Sequence, residues 1–402
     1  MKPINQAEAQ ERPLFQWQHF QLGELMFCLC LISVFLPVKI YPLIFLMASF
    51  VFFRQSKKLT TPVWLAFLGV FSLYALFSFL IFYDGSAQTL ANIIKLLVNF
   101  TILYFAVNWL AQRDNSVLLK WVDLAFHFIF LLVFAQLLVY HFAFDFRLLM
   151  GSSSSGQASA LYNQALYFWG LEDKNMFGAR IAMLGFPYLL IPLIRWNRVS
   201  WWRICGIFLL AFLSLSRTPI VALIIAVFFL VWITSHKLGR FALVVALAAA
   251  LPFVLEKLIR VKNLTATNDG MGIRLVYWES FFENFLAIPP LGIGFSRTPE
   301  FLQAHAAFYR GEPHIHNTFM HNYLELGIVG FAAYLLFLIF FFREGLKMLP
   351  INNYWIMAAL PLLSIMMILY TGYDNDIVLY LALIFLLGSI RTINFNTISM
   401  GI

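Results

Sequence analysis

Three histidines lie in the segment 314–330, which leads from a charged stretch into a long apolar run. If this segment is helical, His321 and Glu325 lie one turn apart on one face, and Asn317 lies one turn before His321. One imidazole could serve as a general base for a hydroxyl group, because its pKa lies near neutrality. The same groups could instead cap a helix at a membrane interface. A zinc site is the weakest alternative, because a clear third ligand and a His-Glu-x-x-His pattern are both missing.

Two arginines are candidates for binding an anion. Arg217 stands between two long apolar runs, where a charge is costly and often functional. Pro219 suits the first turn of a following helix with Ser216 or Thr218 as its cap, so that helix start and the guanidinium would favour a phosphate. Arg274 follows two glycines in a charged stretch. An interfacial anchor is the alternative for Arg217, and a solvated charge is the alternative for Arg274.

Further cations lie in the same parts of the sequence. Lys257 and Arg260 follow an apolar run, and Arg180 could join the same cavity or pair with Asp173. The sequence has no Gly-rich phosphate loop and no Asp-x-Asp motif for a metal-bound nucleotide sugar. The pattern therefore suits a donor that a lipid pyrophosphate has already activated. Arginines would stabilise the leaving diphosphate, and no metal or other cofactor would be needed.

Composition places these residues in a membrane protein. Hydrophobic residues make up 62% of the 402 residues and charged residues only 11%, with a mean hydropathy of +0.82. A soluble domain has about 25% charged residues. The net charge of +8 does not require a nucleic acid partner, because the basic residues lie mostly between apolar segments, as the positive-inside rule predicts. The three cysteines fit neither a zinc site nor a disulfide framework.

The apolar runs predict one all-α integral membrane domain over residues 1–402 with about twelve spans. These lie near residues 22–37, 40–54, 62–83, 88–110, 118–142, 176–194, 201–216, 218–235, 240–256, 321–342, 353–371 and 375–391. Lys95 and Asp123 lie inside spans and need partners that the sequence does not identify.

Loop charge predicts the orientation of these spans. Alternate loops are rich in lysine and arginine, which places both termini in the cytoplasm. Two long segments, about 143–175 and 257–320, then lie on the outer side together with the candidate residues. Residues 273–286 have helical spacing and are predicted to form an amphipathic helix. No internal repeat is present.

Three patterns in the chain resemble the O-antigen ligase family, which shares a superfamily with O-antigen polymerases and protein O-oligosaccharyltransferases. His316-Asn317 followed after nine residues by Gly327-x-x-Gly330 is similar to the ligase pattern His-Asn-x9-Gly-x-x-Gly. The other two are the Ser-Arg pair at Arg217 and the segments 272–274 and 290–295. The resemblance covers about residues 170–340. The family's Arg-x3-Leu pattern is not met, since Val221 and Trp278 stand at the leucine positions.

The resemblance implies a metal-independent glycosyltransferase with the helical membrane fold of the lipid-dependent enzymes called GT-C. It would move a polysaccharide from undecaprenyl pyrophosphate to the lipid A–core at the periplasmic face of the bacterial inner membrane, in lipopolysaccharide biosynthesis. His316 would be the catalytic base, a choice over His314 and His321 that rests on the resemblance. Arg217 and Arg274 would bind the donor pyrophosphate. Supporting roles are expected for Arg180, Lys257, Arg260, Asn317, His321 and Glu325.

Two alternatives stay open at this point. A polymerase would extend lipid-linked repeat units, and the intact histidine pattern favours a ligase over it. A flippase for lipid-linked glycans would need polar groups through the membrane midplane and commonly has internal repeats. The concentration of candidate groups on one side disfavours the flippase.

Overall fold

The computed structural model describes residues 21–36, 40–143, 146, 174–196, 198–235, 237–253, 270–348 and 356–390. Within these ranges the chain is built from helices and a short 3₁₀ turn at Phe285–Ala287. The helices are α1 Leu22–Ser33, α2 Tyr41–Gln55, α3 Val63–Phe82, α4 Ala87–Leu110, α5 Ser116–Ala143, α6 Lys174–Trp196, α7 Trp201–Leu213, α8 Arg217–Thr234, α9 Lys237–Phe253, α10 Gly270–Glu283, α11 Thr298–His305, α12 Thr318–Met348, α13 Ile356–Met366 and α14 Asn375–Gly388.

Five of the described helices, α3, α4, α5, α6 and α12, are long and apolar enough to cross a membrane. A spanning segment satisfies its backbone polar groups internally, which is why long apolar runs fold as helices in lipid. Each of the twelve predicted spans overlaps a helix, but the other seven helices are only 11 to 18 residues long as described, whereas about 20 residues are needed to cross a membrane. The all-helical prediction is confirmed, and the count of twelve spans stays a prediction.

Helices α6 and α14 form the centre of the bundle. The apolar part of α6 is 94% buried, against 28% for that of α3. Helix α3 exposes Leu73 and Leu80 at 68% each on its outer side. Its inner side packs along α12 through aromatic pairs, such as Phe67 stacked on Phe340 with ring centroids 5.2 Å apart. The apolar outer faces indicate a membrane protein.

The two ends of the bundle carry different polar groups. At one end, Asp123 pairs with Arg195 and Arg203, and Glu24 pairs with Arg113. These arginines belong to the predicted inner loops. The partners of Asp123, which the sequence did not identify, are therefore two arginines of those loops. The opposite end holds the turn between α13 and α14 and the segment 270–317.

The segment 270–317 docks on the ends of α3 and α4. Arg297 donates to the carbonyl of Phe82 at 2.8 Å. The amide of Phe295 donates to Ser78 Oγ at 2.9 Å, and Asn92 donates to Ser296 Oγ at 3.1 Å. The described part of the predicted long loop therefore shares one end of the bundle with the short turns that were predicted to be outer.

Candidate active site

Helix α12 begins at the His-Asn pair. Asn317 Oδ1 accepts hydrogen bonds from the amides of Phe319 at 3.0 Å and Met320 at 3.2 Å, so Asn317 caps the helix. Thr318 Oγ1 binds the carbonyls of Met367 at 3.0 Å and Tyr370 at 2.7 Å. The start of α12 is thereby fixed against the α13–α14 turn. Helix capping, one of the alternatives from the sequence, is correct for Asn317.

His316 directly precedes this cap in a left-handed conformation, with φ of 56°. Its ring lies parallel to that of Tyr277, with 6.1 Å between centroids and 2° between planes. The ring of His314 meets it edge-on at 4.4 Å. Within the described residues, the buried Nδ1 of His316 has no hydrogen-bond partner. Two aromatic contacts thus orient the imidazole, while Nδ1 is left to accept a proton or a hydrogen bond.

Helix α10 provides the surface on which His316 rests. The spacing of its apolar residues predicted a helix, and α10 buries Ile273, Tyr277 and Phe281. Burial and the hydrogen bond to Glu312 raise the pKa of Tyr277, so its hydroxyl donates to that carboxylate. Trp278 Nε1 donates to the carbonyl of Ile315 at 3.2 Å. One face of α10 therefore binds the chain on both sides of His314.

Burial and positive neighbours keep these histidines neutral. Burial lowers the pKa of His316 to about 2, with further lowering by His314 and Arg274. Burial also lowers the pKa of His314 to about 4, with smaller effects from His321, Lys95 and Arg274 that oppose the effect of Asp374. Both pKa values lie below the ordinary 6.5. At pH 7 both imidazoles are therefore neutral, and each has one ring nitrogen that can accept a hydrogen bond.

His321 and Glu325 lie on one face of α12 as predicted, with 3.6 Å between Nε2 and Oε2, and each is 2% exposed. Thr298 Oγ1 lies 2.7 Å from Glu325 Oε1 and 3.1 Å from His321 Nδ1. Since the hydroxyl proton goes to the carboxylate, Nδ1 of His321 must donate to the hydroxyl oxygen. Glu325 also accepts from the amide of Ser296 at 2.8 Å. The pair holds the loop against α12.

Helix α12 breaks at Gly327, where φ is 59° and ψ is −158°. The segment 290–294 lies against this break through three main-chain hydrogen bonds of 2.9 to 3.0 Å. A Cβ on Gly327 would lie 2.0 Å from the carbonyl oxygen of Pro290, and a Cβ on Gly292 would lie 2.3 Å from that of Glu325. Glycine at both positions therefore permits the close approach of two backbones. This explains the first glycine of the His-Asn-x9-Gly-x-x-Gly pattern.

Arg217 is the first residue of α8, after a turn that packs against α6. Ser216 stands at the N-cap, but its side chain makes no capping bond and its Oγ lies 3.2 Å from Asn175 Oδ1. Of the two residues predicted to cap α8, Ser216 holds the N-cap position, but its hydroxyl donates to Asn175 and makes no bond to the helix amides. A Cβ on Gly178 would lie 2.6 Å from Ser214 Oγ, so α6 and this turn are in direct contact.

Arg180 is half-buried near the start of α6 and pairs with the buried Asp376, with 3.0 Å between Nε and Oδ1. It also donates to the carbonyl of Val34, and Tyr370 donates to Asp376 at 2.9 Å. The alternative partner from the sequence, Asp173, lies outside the described residues. Arg180 thus anchors α6 to α14 through this ion pair.

A second ion pair joins Lys95 of α4 to Asp374 at the start of α14. Asp374 also accepts from the amide and hydroxyl of Thr371 at 2.7 and 2.9 Å. The turn before Asp374 contacts the start of α12, where Thr318 donates to the carbonyl of Tyr370, and both charges of the pair act on the pKa of His314. The sequence identified Lys95 only as a charge in need of a partner and Asp374 only as an acid in a short turn.

The structure thus brings together Arg274, His314 and His316 with the pair of Lys95 and Asp374. Arg217 lies at the start of α8, and Arg180 lies in α6. Lys257 and Arg260 lie outside the described residues. Within the part of the chain that the structure describes, no group of three His, Cys, Asp or Glu side chains is arranged to hold a metal ion.

The family model described as O-antigen ligase matches residues 203–335. These residues belong to the O-antigen ligase family. The matched residues run from α7 into α12. They include Arg217, Arg274, His316 and Gly327. Comparison with curated proteins gives no match for the chain. The family match supports a protein of the ligase and polymerase type, and the apolar helices indicate a membrane protein.

Proposed function

We propose that the protein is an O-antigen ligase that transfers a polysaccharide from undecaprenyl pyrophosphate to the lipid A–core at the periplasmic face of the inner membrane. The observation that carries the proposal is the neutral, oriented imidazole of His316 next to Arg274, within the segment that matches the family. A neutral imidazole beside a cation suits the removal of a hydroxyl proton near an anionic leaving group.

In the proposed reaction, His316 takes the proton of the acceptor hydroxyl as its oxygen attacks the anomeric carbon of the donor sugar. The bond from that carbon to the diphosphate breaks, with inversion, and the diphosphate leaves with the electron pair. Arg274 and Arg217 would hold the diphosphate and stabilise its growing charge. These steps require neither a metal nor ATP.

Donor binding would also activate the base. An imidazole with a pKa of about 2 is a poor base, and Arg274 contributes to that low pKa. A diphosphate bound by Arg274 would offset this positive charge and so raise the pKa of His316, while burial, the largest cause of the low pKa, would still act on the imidazole. His316 would therefore be a stronger base when the donor is bound than when it is absent.

The proposed topology has twelve spans, both termini in the cytoplasm and a periplasmic loop over residues 257–320 that carries part of the site, in a GT-C-type fold. Support comes from the placement of the segment 270–317 at one end of the bundle and of Arg113, Arg195 and Arg203 at the other. The positive-inside rule places the arginine-rich end in the cytoplasm.

The first test is His316→Ala in the purified protein. We expect turnover to be lost while insertion and donor binding persist, because the base does not hold the diphosphate. His305→Ala is the matched control, since His305 is an exposed histidine of the same loop and should work normally. Normal turnover by His316→Ala would refute the mechanism, and it is also the result expected of a flippase.

Deletion of the gene separates a ligase from a polymerase. A ligase predicts that long chains still form but stay on the lipid carrier, with the lipid A–core bare. A polymerase predicts a single repeat unit on the lipid A–core and no long chains. Normal envelope glycans would contradict both functions.

A further inference from the structure

A groove lies between α5 and α7, above Tyr188 of α6, at the end of the bundle away from the histidines. Its volume is about 350 Å³. Its lining runs along both helices, from His127 and Trp202 at one end, past Phe130 and Gly206, to Phe134 and Leu210 at the other. The seven residue steps from His127 to Phe134 rise about 10 Å along α5. The groove is therefore long enough for part of one acyl chain.

One end of this α5–α7 groove is positively charged. Asp123 receives Arg195 at 2.6 Å and Arg203 at 2.7 Å, so one carboxylate faces two guanidinium groups. The Arg203 guanidinium carbon lies 4.2 Å from the ring centre of Tyr188. His127 Nδ1 lies 2.7 Å from the carbonyl oxygen of Asp123. Two positive charges against one negative charge leave a net charge of +1 in a rigid frame.

The same end lies at the level of a membrane interface. Trp196, Trp201 and Trp202 are 51%, 37% and 62% exposed beside it. Exposed tryptophans collect at the boundary between headgroups and acyl chains. Towards its other end the groove opens among Leu131 and Leu209, which are 68% and 47% exposed. The charged end thus lies at headgroup depth and the apolar end within the hydrocarbon.

We infer that the α5–α7 groove binds an anionic phospholipid, with an acyl chain along Phe130 and Phe134 and the phosphate near Arg195 and Arg203. The excess positive charge favours a lipid with net negative charge, because a zwitterionic headgroup would bring its own cation to the arginines. This site is separate from the proposed reaction, since the histidines and Arg274 lie at the opposite end.

The test uses the full-length protein in detergent, with dioleoyl phosphatidylglycerol and dioleoyl phosphatidylcholine as probes and native mass spectrometry to count retained lipid. We expect phosphatidylglycerol to be retained about fivefold better, as one excess basic residue allows. Arg195→Gln leaves Arg203 with Asp123 but removes the excess charge, so the preference should fall towards one. Equal retention of the two lipids by the wild-type protein would overturn the inference.

Gly206→Leu tests the groove itself. A Cβ on Gly206 meets no atom within 4 Å, so the leucine fills the groove without moving the backbone. Gly69→Leu on α3 is the matched control, because a Cβ there also meets no atom within 4 Å. We expect Gly206→Leu to lose the bound phosphatidylglycerol and Gly69→Leu to keep it. Retention by Gly206→Leu, or stoichiometric displacement of the lipid by undecaprenyl phosphate, would overturn the assignment.

Discussion

The break in α12 makes Gly327→Ala the most informative substitution outside the histidines. The added Cβ would lie 2.0 Å from the carbonyl oxygen of Pro290 and 2.5 Å from the amide nitrogen of Gly292. Both are backbone atoms, so no side-chain rotation relieves the overlap. Either the segment 290–294 moves away or α12 refolds at position 327.

The cost of this movement can be worked from the contacts that it breaks. Ile293 donates to Leu324 at 2.9 Å, Gly294 to Glu325 at 3.0 Å and Ile328 to Pro290 at 2.9 Å. Each hydrogen bond contributes about 1 kcal/mol, so their loss costs about 3 kcal/mol. Since 1.4 kcal/mol corresponds to a factor of ten, protection from hydrogen exchange at these amides should fall about 100-fold.

Hydrogen exchange with mass spectrometry in detergent measures this protection in peptides that cover residues 288–296 and 324–330. Gly69→Ala is the control, because its site on α3 is open. We expect Gly327→Ala to expose these amides and to lose turnover, since the loop that it displaces is tied to the α12 segment following His316. Unchanged exchange in Gly327→Ala would show that the close approach at Gly327 does not hold the loop.

Three further predictions concern the charged residues. The low pKa of His316 predicts that kcat/KM stays flat from pH 8 to 5, because the imidazole of the free protein is neutral throughout; an acid limb near pH 6.5 would contradict this. Arg217→Lys and Arg274→Lys keep the charge but lose the bidentate fork, so donor affinity should drop in a binding assay; unchanged affinity would leave them as anchors. Lys95→Met leaves Asp374 without its cation and should cost about 3 kcal/mol of stability, seen as a lower Tm, and adding Asp374→Asn should restore part of it.

The helices were predictable from the sequence because apolar runs of spanning length have few other folds in lipid. Contacts between side chains one helical turn apart were also predictable, as for His321 and Glu325. The partners of Lys95 and Arg180 were not, because Asp374 and Asp376 lie 279 and 196 residues further along the chain. Only the packing of α14 between α4 and α6 brings those charges together.

The break at Gly327 was hidden for a similar reason. Hydropathy predicts one continuous span over residues 321–342, and a single glycine inside it costs a helix only about 1 kcal/mol. The break exists because the segment 290–294 lies against α12 and takes the hydrogen bonds that the helix gives up. A local pattern cannot show that a distant segment supplies these partners.

Backbone strain connects the separate motifs of the site. Non-glycine residues with positive φ in the described residues are Phe146, Leu215, Ser296 and His316. Three of these four lie at the turn before Arg217, in the loop fixed by Glu325, and at the histidine itself. Such conformations cost about 1–3 kcal/mol each and persist only where the surroundings enforce them. The bond from the Ser296 amide to Glu325 and the cap at Asn317 provide that enforcement. The fold therefore uses part of its stability to hold the imidazole of His316 in place before any ligand binds, as a preorganised site requires.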